Sequence, residues 1–159
     1  EFLVVDGVVR RAARTEMESV DGKKYSIEGV AGKQGTLVIF TCNSCPIVKK
    51  WEDRIAAIGN DYKKKGFGVI LINSNDVVSH PEDSLDNMKE RAKKLKLEVP
   101  YVLDADSSVA RAFGATKTPE IFLFDKEKKL AYWGAVDDNA NPTPTADTIA
   151  TFSAPRATR

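Results

Sequence analysis

Residues 37–59 read LVIFTCNSCPIVKKWEDRIAAIG, and this stretch decides the fold. Its first four residues form a short, continuous apolar run, which predicts a strand buried on both faces, as in parallel sheets. Farther along, apolar residues recur every three or four positions, which predicts an amphipathic helix. Cys42 and Cys45 are the only two cysteines of the chain, and they lie at the junction between this strand and this helix. In open α/β sheets, functional sites form at such junctions.

Further strands and helices follow the same alternation. Alternating strands and helices predict a mostly parallel sheet with right-handed crossovers, to which hairpins add antiparallel strands. The predicted fold class is α/β, a central mixed sheet flanked by helices. The predicted elements are an N-terminal hairpin turning at Asp21-Gly22, strands at 67–72 and 100–103, helices at 85–95 and 107–113, and a closing hairpin of 121–124 with 130–133.

The length of 159 residues suits one domain. We expect a leader over residues 1–15, partly of cloning origin because a common cloning site encodes Glu-Phe; a globular domain over 16–138; and a loose tail over 139–159. The 24 Lys and Arg residues nearly balance the 23 Asp and Glu residues, so no basic excess predicts nucleic-acid binding. No apolar run is long enough to predict a membrane span. The compartment stays open: cytoplasmic, periplasmic or secreted.

The cysteine spacing predicts thiol chemistry. The N-terminal end of a helix favours a thiolate, so we expect the pKa of Cys42 to lie below about 8.5. Cys45 is one helical turn further on, which lets its sulfur reach back to Cys42. Pro46 suits the first helical turn, and Asn43 and Ser44 complete the loop as supporting residues. Attack by Cys42 on a partner disulfide, followed by resolution by Cys45, is the chemistry that this spacing favours.

Three other interpretations of the pair are weaker. A structural disulfide that closes a ring of four residues would restrain little chain entropy. A zinc site needs about four ligands, and the only histidine, His80, lies in a distant loop. Two core cysteines without a role would more often lie inside a strand or a helix. A redox pair is therefore favoured, and it needs neither a metal nor another cofactor.

Thr118-Pro119 precedes a predicted strand and is the second feature of interest. An X-Pro bond at this place, together with the cysteine pair, predicts a cis peptide, which would leave adjacent backbone free to pair with an extended substrate. Lys117 stands next to it, where a positive charge would favour a thiolate or steer an acidic partner. Lysines in such loops are more often only solvated.

With these motifs the chain resembles thioredoxin-like proteins of the redoxin family, related to peroxiredoxin-like and periplasmic disulfide reductase branches. The resemblance implies a thioredoxin fold with an extra strand and helix inserted between the central strands. It also implies that Cys42 is the nucleophile, Cys45 the resolving thiol, and Thr118-Pro119 the cis-proline loop. The resemblance covers about residues 16–139 and is carried by CNSCP at 42–46, INSND at 72–76, PEDSLDNMKERA at 81–92, FGATKTPEIFLFD at 113–125 and GAVDDN at 134–139.

The chain departs from this pattern in two ways. Relatives often carry histidine where Ser44 stands, and serine can only form hydrogen bonds, so we expect a Cys42 pKa near about 7 rather than the lowest values of this fold. Thioredoxin also has a buried acid on the preceding strand, whereas LVIF is wholly apolar. Glu90, Asp76 and Glu120 are the acids that we expect could replace it.

The sequence thus predicts a thiol-disulfide oxidoreductase, with a disulfide reductase favoured because no charged residue separates the cysteines. Its predicted partners are a protein or small-molecule disulfide and an upstream thiol reductant. One alternative is a peroxiredoxin-like hydroperoxide reductase, in which Cys42 would pass through a sulfenic acid. The P-x-x-x-T-x-x-C context of peroxiredoxins is absent, however. The other alternative is a non-catalytic module, for example one that handles copper with the two thiolates.

Overall fold

The computed structural model of the chain describes residues 7–136, and a seven-stranded mixed sheet forms its centre. The strands are β1 (Met17–Ser19), β2 (Lys24–Tyr25), β3 (Gly35–Thr41), β4 (Gly68–Asn73), β5 (Tyr101–Leu103), β6 (Glu120–Asp125) and β7 (Leu130–Gly134). The helices are α1 (Gly7–Ala13), α2 (Ile27–Val30), α3 (Pro46–Lys64), α4 (Leu85–Leu95) and α5 (Ser108–Phe113), and a 3-10 turn covers Pro81–Asp83.

The strand order is β2-β1-β5-β4-β3-β6-β7. Strands β3, β4 and β5 run parallel to one another, whereas β6 is antiparallel to β3 and β7 is antiparallel to β6. The N-terminal hairpin of β1 and β2 joins the sheet through the antiparallel pairing of β1 with β5. The prediction of an α/β fold around a central mixed sheet is therefore confirmed.

Strand β3 lies in the interior of the sheet, and all seven of its residues are buried. Successive side chains of a strand point to opposite faces, so β3 contributes to two cores. Leu37 and Ile39 pack on the face that also holds Cys42, and Val38 and Phe40 pack on the other face. This double burial explains why the strand sequence is continuously apolar rather than alternating.

Helix α3 covers the face of Leu37 and Ile39. Its buried apolar residues recur at helical spacing and pack into the same core as these two side chains; they are Val48, Ile55, Ile58 and Tyr62. Pro46 is the first residue of the helix, where a missing N–H costs no hydrogen bond. The helix therefore begins directly at the second cysteine.

Gly68, the first residue of β4, is required by close backbone packing. A Cβ atom there would lie 1.8 Å from the carbonyl oxygen of Val30 and 2.7 Å from the amide nitrogen of Gly32. Both contacts are with backbone, which cannot rotate away. Only glycine therefore lets the segment after α2 cross the start of this strand.

Helix α1 lies within residues 1–15, for which the sequence predicts a leader and no helix. Ala12 and Ala13 are buried in the same cluster as Val109 of α5, so the helix packs on the domain. Seven residues show too little periodicity for such a helix to be recognised. The expected tail over 139–159 lies outside the described residues, and the proposed division of the chain stays a prediction.

Within residues 7–136, no helix combines the length and the apolar character that crossing a bilayer requires.

Candidate active site

The two cysteines flank the loop that joins β3 to α3. Cys42 directly follows the last residue of β3 and is buried, with 4% of its surface exposed. Cys45 is the N-cap residue of α3 and is partly exposed. Both are thiols in this structure.

The loop before β6 lies against both sulfur atoms. The hydroxyl oxygen of Thr118 is 3.5 Å from Cys42 Sγ, and the thiol of Cys45 points toward the Thr118 carbonyl oxygen at 4.0 Å. The Thr118–Pro119 peptide is cis, as predicted. The structure therefore brings together the four residues on which the sequence analysis placed catalysis and substrate binding.

The two thiols differ in acidity, and the expected lowering of the Cys42 pKa is wrong. Burial raises the pKa of Cys42 and outweighs the lowering effects of the Thr118 hydroxyl and the Cys45 backbone amide, and the charge of Asp83 makes a smaller contribution that also raises it. Burial also acts on Cys45, but the backbone amides of Val48 and Ile47 outweigh it, so the net pKa of Cys45 is lowered. The physical reason is the start of the helix: because α3 begins at Pro46, its first free amides, those of Ile47 and Val48, act on Cys45 rather than on Cys42, although the Cys45 side chain forms no capping hydrogen bond.

Asp83 is the main site residue that sequence reasoning missed. Its carboxylate is fully buried and accepts hydrogen bonds from the loop between the cysteines: from the Asn43 backbone amide at 2.5 Å and from the Ser44 hydroxyl at 2.5 Å. The side-chain amides of Asn73 and Asn75 each donate to it at 2.9 Å. Burial alone would raise the pKa of Asp83, but these hydrogen bonds outweigh it and lower the pKa. The carboxylate therefore stays ionised.

Asn43 anchors the loop on a second side. Its side-chain oxygen accepts a hydrogen bond from the buried Tyr101 hydroxyl at 2.9 Å, and its amide donates to the carbonyl oxygen of Glu82 at 2.9 Å. Burial raises the pKa of Tyr101, so the phenol stays neutral. Both residues between the cysteines are thus held by groups far away in sequence.

None of the three acids expected to replace the buried acid of thioredoxin lies against the sulfur atoms. Glu120 is buried, but it pairs with Phe40 in the β3–β6 register and its carboxylate binds the Thr116 amide and the Trp133 indole N–H. Asp76 is exposed and hydrogen-bonded to Ser79, and Glu90 is exposed on α4. The acid next to the pair is Asp83 instead.

The remaining supporting residues are placed as follows. Pro46 opens α3, and Ser44 turns its hydroxyl to Asp83. Lys117 is exposed beside Thr118, which agrees with a solvated loop lysine. Ser44 therefore acts on the loop through Asp83, and among the described residues the hydrogen bonds of both sulfur atoms go to Thr118 rather than to the Ser44 hydroxyl.

A small cavity of about 20 Å³ lies behind Cys42, which is room for a single water molecule. Tyr101 and Asn43 contribute to its wall, together with Glu52 of α3 and Arg91 of α4. The last two form an ion pair with 2.6 Å between Arg91 Nη1 and Glu52 Oε2. The cavity thus lies between the buried side of Cys42 and the Glu52–Arg91 ion pair.

The described part of the chain contains no group of three or more His, Cys, Asp and Glu side chains close enough together to hold a metal ion.

The sequence of residues 10–150 matches the redoxin family. The chain belongs to the redoxin family. An uncharacterised conserved protein from Geobacillus kaustophilus is 35% identical and superimposes with a TM-score of 0.81, over 91% of this chain and 77% of that one. A putative thioredoxin from Neisseria meningitidis shares the fold at 23% identity, with a TM-score of 0.64, over 87% of this chain and 84% of that one. The predicted thioredoxin-like fold is therefore confirmed.

A curated relative of this redoxin is the thiol-disulfide oxidoreductase ResA of Halalkalibacterium halodurans. It is 22% identical over 120 residues, which are 76% of this chain. The match spans 64% of the length of ResA, just under two thirds. The activity named for ResA therefore enters only as part of the function proposed for this chain.

Proposed function

We propose that this redoxin is a thiol-disulfide oxidoreductase that acts as a disulfide reductase through Cys42 and Cys45. The observation that carries the proposal is the position of both thiols against Thr118, at the junction of a buried strand and a helix. The match to a protein named thiol-disulfide oxidoreductase supports the same reaction class.

The proposed reaction has two steps. The Cys42 thiolate attacks a substrate disulfide, so that one substrate sulfur leaves as a thiolate and the other stays joined to Cys42 as a mixed disulfide. Cys45 then attacks Cys42 Sγ, which releases the second substrate thiol and forms the Cys42–Cys45 bond. Two electrons pass from the dithiol to the substrate, and its two sulfurs take up the two protons. An upstream thiol reductant restores the dithiol by the reverse exchange.

The acidity of the thiols supports the role of Cys45 in resolution, whereas the role of Cys42 as the attacking thiol follows from the resemblance to thioredoxin-like proteins. The raised pKa of Cys42 makes its thiolate intrinsically more nucleophilic, but it also lowers the fraction of thiolate at neutral pH. Cys45, whose pKa is lowered, supplies a thiolate for resolution near neutral pH. Because the buried Cys42 thiolate is not stabilised, ionisation of Cys42 adds little stability to the reduced form, and this contribution favours a reducing pair.

Thr118 and Pro119 form the proposed substrate wall. Thr118 contacts both sulfur atoms, so a disulfide that reaches Cys42 must pass along this loop. An extended peptide or a small disulfide would lie against it. The substrate is therefore a protein or small-molecule disulfide.

The test is insulin reduction by the full chain with dithiothreitol as the reductant, comparing the wild type with Cys42→Ser and Cys45→Ser. We expect both variants to lose turnover and only Cys45→Ser to accumulate a mixed disulfide, seen by mass spectrometry. Wild-type turnover in both variants would refute the activity. Trapping by Cys42→Ser alone would keep the activity but reverse the order of attack. Consumption of hydroperoxide, or a stoichiometric Cu(I) complex without turnover, would favour one of the two alternative functions.

A further inference from the structure

Asp83 is a buried negative charge that has no cationic partner among residues 7–136. Its four hydrogen-bond donors are a backbone amide, a hydroxyl and two side-chain amides, all of them neutral. No Lys, Arg or His side chain among residues 7–136 forms an ion pair with it. Burying an ionised carboxylate is unfavourable unless hydrogen bonds replace those that it makes with water. The four donors therefore maintain a permanent charge at this place.

The same donors make Asp83 a poor base. Each carboxylate oxygen already accepts two hydrogen bonds, and the pKa of Asp83 is lowered. A proton released by a thiol would have to displace one of these bonds. Asp83 thus acts by its position and its charge rather than by accepting a proton.

The carboxylate is attached to the redox loop itself. Two of its donors, Asn43 and Ser44, are the two residues that separate the cysteines. The other two donors lie at the end of the neighbouring strand β4: Asn73 is its last residue, and Asn75 comes two residues later. Asp83 therefore ties the loop to the adjacent strand end and lies close enough to raise the pKa of Cys42.

We propose that Asp83 is a positioning residue that fixes the Cys42–Cys45 loop through Asn43 and Ser44 and biases the pair toward the disulfide by holding a permanent negative charge near Cys42. This proposal rests on the proposed function and gives its direction, because a charge that disfavours the thiolate removes a source of stability from the reduced form only. A dithiol destabilised in this way transfers its two electrons to a substrate disulfide more readily.

The other groups that face Cys42 do not supply this charge. Tyr101 of β5 is a neutral phenol. Glu52 of α3 and Arg91 of α4 share the cavity with Cys42, but the negative charge of Glu52 is paired with Arg91 and also lies 4.0 Å from Lys94 Nζ. Cys45, on the loop itself, is the remaining titratable neighbour, and replacing it by serine removes its contribution.

The first experiment compares Asp83→Asn with Asp86→Asn in the Cys45→Ser background. Asp86 is an exposed acid three residues away, so its variant removes the same charge from the protein without touching the loop. The alkylation rate of Cys42 by iodoacetamide at pH 7 reports its thiolate fraction. We expect an increase of about tenfold for Asp83→Asn, as for the loss of a close like charge, and no change for Asp86→Asn. With both cysteines present, the same tenfold factor corresponds to a reduction potential about 30 mV higher at a pH above the pKa of Cys42, where the thiolate predominates, and to a much smaller change at pH 7.

A second pair of variants leaves Asp83 intact, because the side-chain NH2 group of Asp83→Asn faces two of the four donors and this variant can fail to fold. Ser44 is only partly buried, so Ser44→His can place an imidazolium against the carboxylate, whereas Ser44→Asn offers a neutral donor of similar size. We expect faster alkylation of Cys42 below pH 6 with histidine than with asparagine. Equal rates for these two variants, or a folded Asp83→Asn variant with the wild-type rate, would overturn the proposal. If Asp83→Asn and Ser44→Asn increased the alkylation rate of Cys42 equally, the proposal would likewise be overturned. Ser44→Asn keeps the charge of Asp83, so that result would mean that Asp83 only holds the loop in place.

These measurements need no disulfide substrate. If the chain fails to reduce disulfides but Asp83→Asn still accelerates alkylation, then the proposed function falls and the charge effect stands. If reduction proceeds and the rate and the potential do not move, then only the role of Asp83 is refuted.

Discussion

Replacing Thr118 by valine tests how far a single hydroxyl controls the reactive sulfur. The hydroxyl lies 3.5 Å from Cys42 Sγ, and once Cys42 is ionised only the hydroxyl can donate. A hydrogen bond to a charged group contributes about 1.5–3 kcal/mol. Because the contact with sulfur is long, we take the lower limit, and about 1.4 kcal/mol corresponds to a tenfold change. At pH 7, below the raised pKa of Cys42, the thiolate fraction and the alkylation rate should therefore fall about tenfold in Thr118→Val.

The assay is iodoacetamide alkylation in the Cys45→Ser background, followed by mass spectrometry. Thr118→Ser keeps the hydroxyl and should restore most of the rate. Thr116→Val is the matched control, since it makes the same change on an exposed residue two positions earlier. A rate for Thr118→Val within twofold of the wild type, or an equal fall in Thr116→Val, would refute the assigned hydrogen bond.

Three further predictions concern acidity and stability. In the reduced wild type at pH 7, Cys45 should be alkylated before Cys42, as fragment masses of the peptide that holds both would show; earlier labelling of Cys42 would contradict the assigned acidities. Met88 is the buried residue of α4, so Met88→Ala should lower the free energy of unfolding by about 2–5 kcal/mol and Met88→Leu by less than about 1.5 kcal/mol, as measured by urea unfolding. A loss below about 1 kcal/mol in the alanine variant would show that α4 is not anchored there. Gly68→Ala should abolish soluble expression because its Cβ would overlap the Val30 carbonyl, and a folded variant would show that this crossing can relax.

The elements of the fold were predictable because their signals are local. The run LVIF and the stripe of α3 carry their periodicity within a few residues, and a turn at Gly22 with positive φ follows from Asp21-Gly22. The short helices α1 and α2 offer too few residues for a period to show. Burial of their apolar side chains depends instead on neighbours from other parts of the chain.

The site was predictable where the sequence itself marks it and not elsewhere. The cysteine pair and Thr118-Pro119 form recognisable motifs, and the structure brings them together. Asp83 carries no local signal, because the hydrogen bond that reveals it joins residues 40 positions apart. The acidity of Cys42 was mispredicted for a related reason: burial is set by the whole packed core, and the exact start of α3 decides which sulfur receives the helix amides.

The two cysteines are held by different elements of the fold, Cys42 by the sheet and Cys45 by a helix. Cys42 continues from β3, which is held by ladders to β4 and β6 on its two edges. Cys45 is the N-cap residue of α3 and takes part in no strand pairing among residues 7–136. Closing the sulfur–sulfur bond must therefore draw the first turn of α3 toward a nearly fixed Cys42. A docked partner would therefore meet the first turn of α3 in a slightly different position in the oxidised and the reduced protein, while the strand pairing of the sheet stays the same.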